Sequence, residues 1–176
     1  ILGAGEMGIG NTTTSAAVLA ALTGLPVEAV TGRGGGMTDA GFLRKKQVIT
    51  DALALHRPDK NDVLDVLSKV GGLDIAAMCG VFLGAARQRL PVGIDGVISV
   101  VAALCAGRLC PAAEDYFFAS HASHEAGYAA AVKELGLEPW LHLGMRLGEG
   151  SGCPIAFRVM EAACAAAEGM ATFAGA

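Results

Sequence analysis

The stretch Val92-Gly93-Ile94-Asp95-Gly96-Val97-Ile98-Ser99-Val100-Val101-Ala102-Ala103-Leu104-Cys105 changes its pattern within its own length. Val92 to Ile94 is a short apolar run of the kind a buried strand needs. Asp95 and Gly96 make a polar turn, and from Val97 the run of Val, Ala and Leu reads as a helix through Cys105. Strand, polar turn and helix together form the repeating unit of a parallel sheet with crossover helices. The unit recurs downstream. Tyr116-Phe117-Phe118-Ala119 leads through Ser120-His121 into a helix expected from about His124 to Leu135, and Trp140 to Leu143 leads through Gly148 to Gly152 into a final helix.

Upstream, helical spacing predicts Thr12 to Leu22, Thr38 to Leu55, Asn61 to Val70 and Leu73 to Arg89, punctuated by Pro58, Gly71-Gly72 and Pro91. The expected class is α/β with a mostly parallel sheet. Ligands of such sheets bind at the carboxyl ends of the strands, so the turns there are where chemistry is sought.

With 176 residues, the chain fits one ordinary domain. The hydrophobic fraction is 53%, but much of it is alanine, and the longest apolar candidate, Gly96 to Gly107, falls short of the ~20 residues a membrane span requires. No membrane helix is expected. The chain opens on Ile1-Leu2-Gly3-Ala4-Gly5-Glu6, without a basic start and apolar signal run. Five cysteines, none in a CxxC pair and most among small apolar residues, fit a reducing, cytoplasmic setting. A formal charge of -4, with one basic cluster at Arg44-Lys45-Lys46, gives no reason to expect a nucleic-acid partner.

Gly3-Ala4-Gly5-Glu6-Met7-Gly8 matches the GxGxxG dinucleotide fingerprint and raises a nicotinamide-dependent dehydrogenase. That reading also requires a second strand ending in an acidic residue about 20 positions on. Glu28 has the distance, but Leu25-Pro26-Val27 makes a poor strand, and Glu6 would set a carboxylate beside the pyrophosphate. The segment continues Ile9-Gly10-Asn11-Thr12, whose glycines and hydroxyls at a helix start suit an anion or simply cap the helix. Thr31-Gly32-Arg33-Gly34-Gly35-Gly36 is a second glycine cluster able to approach a phosphate closely. One lysine of the following helix would complete it, with Arg44 and Lys46 left as a solvated face.

Ser120-His121-Ala122-Ser123-His124-Glu125 gathers histidines and hydroxyls at a strand end, but its spacing lacks the HExxH of a zinc site and a third firm ligand. No metal or cofactor is expected. In Arg146-Leu147-Gly148-Glu149-Gly150-Ser151-Gly152 the glycines leave a carboxylate uncrowded. Glu149 either caps the helix beginning near Gly152 or acts as a general base.

Seven blocks resemble the nicotinate-nucleotide:dimethylbenzimidazole phosphoribosyltransferase family: Glu6 to Thr13, Thr31 to Gly34, Gly72 to Met78, Ile94 to Ser99, Ser120 to Ser123, Met145 to Gly152, and Met170 to Phe173. Two positions depart from its pattern: Gly35 stands where the family usually carries Thr, and Cys153-Pro154 replaces a small Ala-containing pair. The resemblance implies a Rossmann-like three-layer fold and identifies residues 1–176 as the C-terminal portion of a homodimeric protein roughly twice as long. It places the chain mostly in the large α/β domain, with the last helix, about 153–176, packing with a small helical subdomain.

The implied reaction moves phosphoribosyl from nicotinate mononucleotide to 5,6-dimethylbenzimidazole in cobalamin synthesis. In it Glu149 takes the benzimidazole proton and Glu6 stabilises positive charge on the sugar. Gly34, Lys45 and Ser123 are the expected phosphate contacts and Leu147 meets the face of the base. Gly8 and Gly96 are further expected substrate contacts. The alternatives are a noncatalytic nucleotide-binding module and the dehydrogenase.

Overall fold

The structure, a computed structural model, describes residues 1–171. Three strands, β1 (Leu2–Ala4), β2 (Val92–Ile94) and β3 (Phe117–Ala119), form one sheet in the order β1-β2-β3, parallel throughout. Around it lie α1 (Asn11–Thr23), α2 (Val27–Val30), α3 (Asp39–His56), α4 (Val63–Val70), α5 (Leu73–Arg87), α6 (Val97–Leu109), a 3-10 turn (Pro111–Tyr116), α7 (Tyr128–Glu134) and α8 (Gly152–Gly169). The expected α/β class and its crossover helices are present.

Side chains alternate across a strand, and here the alternation assigns the two faces. Gly3, Gly93 and Phe118 are aligned in register and point one way; their strand neighbours Val92, Ile94, Phe117 and Ala119 point the other. Phe117 meets Phe82 of α5 edge to face, with ring centroids 5.0 Å apart, so α5 covers that second face. On the first face α8 sits directly on the two glycines. A Cβ on Gly3 would lie 2.8 Å from Cys153 Cβ, and one on Gly93 would lie 3.1 Å from the Phe157 ring. These two positions therefore set how close α8 comes to the sheet, and they bring its N-terminus over the strand ends. Cys153 is buried at this contact, and Pro154 falls in the first helical turn, where its missing N–H is harmless.

Gly96 to Gly107, the longest apolar stretch, is the fully enclosed part of α6 with its N-cap, buried from Val97 to Gly107. No helix among the described residues is long and apolar enough to cross a membrane. The five cysteines are free, with Cys79, Cys105 and Cys153 buried and Cys110 and Cys164 exposed.

Two expectations need correction. Trp140 to Leu143 is not a strand: only Leu141 bridges, to His121, while Trp140 packs edge-on against Phe118. The helix expected from His124 begins at Tyr128, because Gly127 takes the left-handed φ of 86° and the chain there passes tightly against Val30. In keeping with the poor strand character of Leu25-Pro26-Val27, Glu28 sits in the single turn α2, and among the described residues the dinucleotide fingerprint has no acidic partner strand. Thr172 and Phe173 of the last resembling block lie outside the described residues, as does the end of the 153–176 segment.

Replacing Gly93 by valine should push α8 off the sheet and lower the unfolding free energy by about 1–3 kcal/mol, the usual range for overpacking. A urea titration measures it, and an unchanged midpoint would show that the glycine row does not set the spacing.

Candidate active site

At the carboxyl ends of the strands lies a cavity of about 140 Å³ lined by residues from five loops, among them Glu6, Gly8, Thr12, Gly34, Gly96, Ser123, Arg146 and Leu147. A second cavity of about 620 Å³, walled by Thr31 to Gly36, Phe42 and His124, shares Gly34, Gly35, Glu125 and Arg146 with the first. The structure thus brings Glu6, Gly8, Gly34, Gly96, Ser123 and Leu147 together. Lys45 and Glu149 do not line either cavity.

Lys45 stands one atom layer back. It is 5% exposed, and its Nζ donates to Thr12 Oγ1 and to Gly32 O, both at 2.8 Å. Burial lowers its pKa, and the nearby Glu125 carboxylate offsets part of that shift. An ammonium carries three N–H donors, so one remains beyond these two bonds. Lys45 therefore anchors Thr12 and the Gly32 turn while adding positive charge behind the cavity wall. Arg44 and Lys46 stay outside; Lys46 lies over the Phe42 ring at 4.1 Å.

The Glu149 loop is held by backbone bonds. Gly148, Glu149 and Gly150 have φ of 79°, 60° and 76°, three consecutive left-handed residues. Glycine adopts this region freely, whereas glutamate does so at a cost of roughly 1–2 kcal/mol. Three interactions maintain the conformation. Glu149 N–H donates to Glu6 O at 2.9 Å, and the Asp95 carboxylate accepts from Gly150 N–H at 3.0 Å and from Gly152 N–H at 2.9 Å. Gly5 permits the approach, since a Cβ there would lie 2.2 Å from Gly150 N. The Glu149 side chain is exposed and has no hydrogen-bond partner among the described residues. Glu149 is thus not the cap of α8; Asp95 serves that end instead.

Asp95 is the residue that sequence reasoning missed. Beside Gly96 it reads only as part of a polar turn, and its 1% exposure and its partners more than 50 positions away have no local signature. Its own N–H donates to Ser99 Oγ at 3.2 Å, and that hydroxyl donates to Ala4 O at 2.6 Å, which ties the end of β1 to the same node. His121, also 1% exposed, places Nδ1 3.8 Å from Asp95 Oδ1 and 3.1 Å from Ser120 Oγ. Burial lowers the His121 pKa, with Asp95 pulling it partly back. The two histidines of the Ser120 to Glu125 segment do not converge: His121 faces Asp95, and His124 faces the second cavity. Among the described residues no three His, Cys, Asp or Glu side chains come together as a metal site.

Two measurements follow. Asp95→Asn keeps the volume but replaces one acceptor oxygen by a donor, leaving the Gly150 or Gly152 N–H unpaired; the expected cost is about 1–3 kcal/mol, with amide exchange across 148–152 accelerated about tenfold or more. Unchanged exchange would show that something else holds the loop. His121 is kept neutral in the fold, with a pKa below its ordinary value of about 6.5. An unfolded chain therefore gains the proton first as pH falls. The contribution is fully present above pH ~6.5 and is lost as pH drops through that value towards the lowered folded pKa. The unfolding midpoint should fall with acidification over this window in the parent protein and less steeply in His121→Gln.

A family model described as Phosphoribosyltransferase matches residues 1–176. Nicotinate-nucleotide–dimethylbenzimidazole phosphoribosyltransferase of Clostridium perfringens is 59% identical over 173 residues, which are 98% of this chain and 48% of that protein. The enzyme of the same name from Roseiflexus sp. (strain RS-1) is 57% identical over 173 residues, 98% of this chain and 49% of that one. The crystal structure of CobT from Thermus thermophilus superposes with a TM-score of 0.92 at 42% identity, covering 99% of this chain and 52% of that one. The chain spans about half the length of the curated relatives it matches. A full-chain family match, identities near 60% and an agreeing backbone place this chain in the nicotinate-nucleotide–dimethylbenzimidazole phosphoribosyltransferase family.

Proposed function

We propose that this chain is the C-terminal half of an enzyme that transfers phosphoribosyl from nicotinate mononucleotide to 5,6-dimethylbenzimidazole, releasing nicotinate and forming α-ribazole 5'-phosphate for the cobalamin nucleotide loop. The observation that carries the reading is the cavity at the strand ends, where Glu6 and a glycine cradle meet in a chain 59% identical to a relative of that name. The whole enzyme works as a homodimer in the cytoplasm, on small-molecule substrates and without a cofactor.

In this reaction a benzimidazole ring nitrogen attacks the ribose anomeric carbon. The bond from that carbon to the pyridinium nitrogen breaks, and its electron pair returns to the pyridine ring of departing nicotinate. The second benzimidazole nitrogen then loses its proton to the Glu149 carboxylate, so the product base is neutral. An exposed carboxylate without an internal partner, on a loop pinned by its backbone, is free to take a proton from a bound ring. Glu6 faces the positive charge that develops on the sugar, and fixed charges of this kind cost no reorganisation in the transition state.

The phosphate lies against Gly34 and Ser123, with Lys45 adding charge from behind Thr12. Arg146, which has no ion-pair partner among the described residues and lines both cavities, supplies a second cation. Gly8 and Gly96 leave room for close approach, and Leu147, 66% exposed, offers an apolar surface to the aromatic base. The dehydrogenase alternative loses its support with the missing acidic partner strand.

In the full-length protein, Glu149→Gln should leave the affinity for nicotinate mononucleotide intact by calorimetry and slow α-ribazole phosphate formation by about 100- to 10,000-fold, the range of general acid–base catalysis. Turnover equal to the parent would remove Glu149 as the base. Binding of the mononucleotide without nicotinate release by the parent protein at any pH would favour a noncatalytic binding module.

A further inference from the structure

Glu6 does not hold its position alone. Its Oε2 accepts from Gly8 N–H at 2.6 Å and also from the side-chain amide Nδ2 of Asn11. The same Nδ2 donates to Asp74 Oδ2 at 2.7 Å. Asn11 is the first residue of α1, and Asp74 lies in the first turn of α5, so one amide links two helices to the loop that carries Glu6. An ionised carboxylate can only accept, and the amide nitrogen, not its oxygen, must therefore face both acids. Asn11 Oδ1 is buried and finds no partner among the described residues. A buried unpaired acceptor lowers stability. Stability alone thus does not account for asparagine here, whereas an amide with two hydrogens can serve two acids at once.

We propose that Asn11 and Asp74 are positioning residues that hold the Glu6 carboxylate at the cavity, and that this bridge sets how strongly Glu6 acts in phosphoribosyl transfer. The inference rests on the role proposed above for Glu6. A glutamate side chain has three rotatable bonds, and an unrestrained one spends its charge over many positions. The bonds from Gly8 and Asn11 both fall on Oε2, so Oε1 is left for a ligand. Asp74 does not line the cavity and acts only by orienting Asn11 from behind. Gly72 leaves the space for it, because a Cβ there would lie 2.4 Å from Asp74 Oδ1.

The test uses the full-length protein and measures kcat and KM for nicotinate mononucleotide at saturating dimethylbenzimidazole. Variants are Asn11→Ala, Asp74→Ala, Asp74→Asn and Gly72→Ala, with Asn11→Ala also made in a Glu6→Gln background. Gly72→Ala keeps every group of the network, and its extended backbone accepts alanine, yet the added methyl displaces the Asp74 carboxylate. Asn11→Ala and Asp74→Ala should each lower kcat by roughly tenfold to a hundredfold, the usual effect of removing a supporting partner, with KM changed less than about threefold. Gly72→Ala should lower kcat in the same sense, and Asp74→Asn, which retains an acceptor oxygen, should recover most of the activity. In the Glu6→Gln background Asn11→Ala should add less than about threefold, since its target is gone. Equal loss in both backgrounds, or a raised KM at unchanged kcat, would overturn the positioning role. If Glu6→Gln alone leaves kcat intact, the role of Glu6 and this bridge fall together, while nicotinate release by the parent protein still judges the proposed reaction separately.

Discussion

Two backbone N–H groups pointing into one buried carboxylate hold the functional end of this molecule together. Asp95 follows the central strand, and its two oxygens take the N–H groups of Gly150 and Gly152. The first residues of a helix leave N–H groups without internal partners, and the helix dipole favours negative charge there. A carboxylate with an oxygen for each donor satisfies both demands. Because Ser99 bonds both Asp95 N–H and Ala4 O, the same node fixes the ends of two strands, the start of α6 and the start of α8. Loss of this acceptor would release Glu149 without touching it.

The loop before α8 is bent by that tether. A chain leaving the sheet edge must turn sharply to deliver Gly150 and Gly152 to one acceptor, and three successive left-handed residues make the turn. Placing glutamate between two glycines puts the strained conformation on one side chain only, and that side chain is the one presented to solvent beside the cavity. Strain of this kind persists where surrounding bonds over-determine it, which the Glu6 O and Asp95 contacts do. The short distance between Gly5 and Gly150 then links the two acidic loops as one unit.

What was legible in the sequence follows from the range of each interaction. Helices at 12–22, 38–55, 61–70 and 73–89 emerge within a few residues of their observed limits, because apolar periodicity is a local property. Lys45 differs from its basic neighbours in being buried, one turn before buried Ile49 on the inner face of α3. Asp95 was not separable from any polar residue after a strand, because its meaning depends on amides 55 and 57 positions away. Trp140 to Leu143 has strand composition, yet its aromatic ring is taken by Phe118 and the ladder stops at one bridge. The shortened α7 depends on how close Gly127 passes to Val30, which no pattern of residue types encodes.

The cavity carries charge of both signs. Glu6, Glu125 and Arg146 line the cavity, Asp74 backs Glu6 through Asn11, and Lys45 stands behind Thr12. The proposed donor, nicotinate mononucleotide, also carries both, with a cationic ring nitrogen at one end of the ribose and a phosphate at the other. In the proposed reaction its reacting carbon lies beside Glu6, where charge develops as the ring departs. A dinucleotide would set pyrophosphate against Glu6. The Glu6 carboxylate that makes the site a poor pyrophosphate cradle is, under the proposed reaction, also the group that suits it to a sugar that becomes transiently positive.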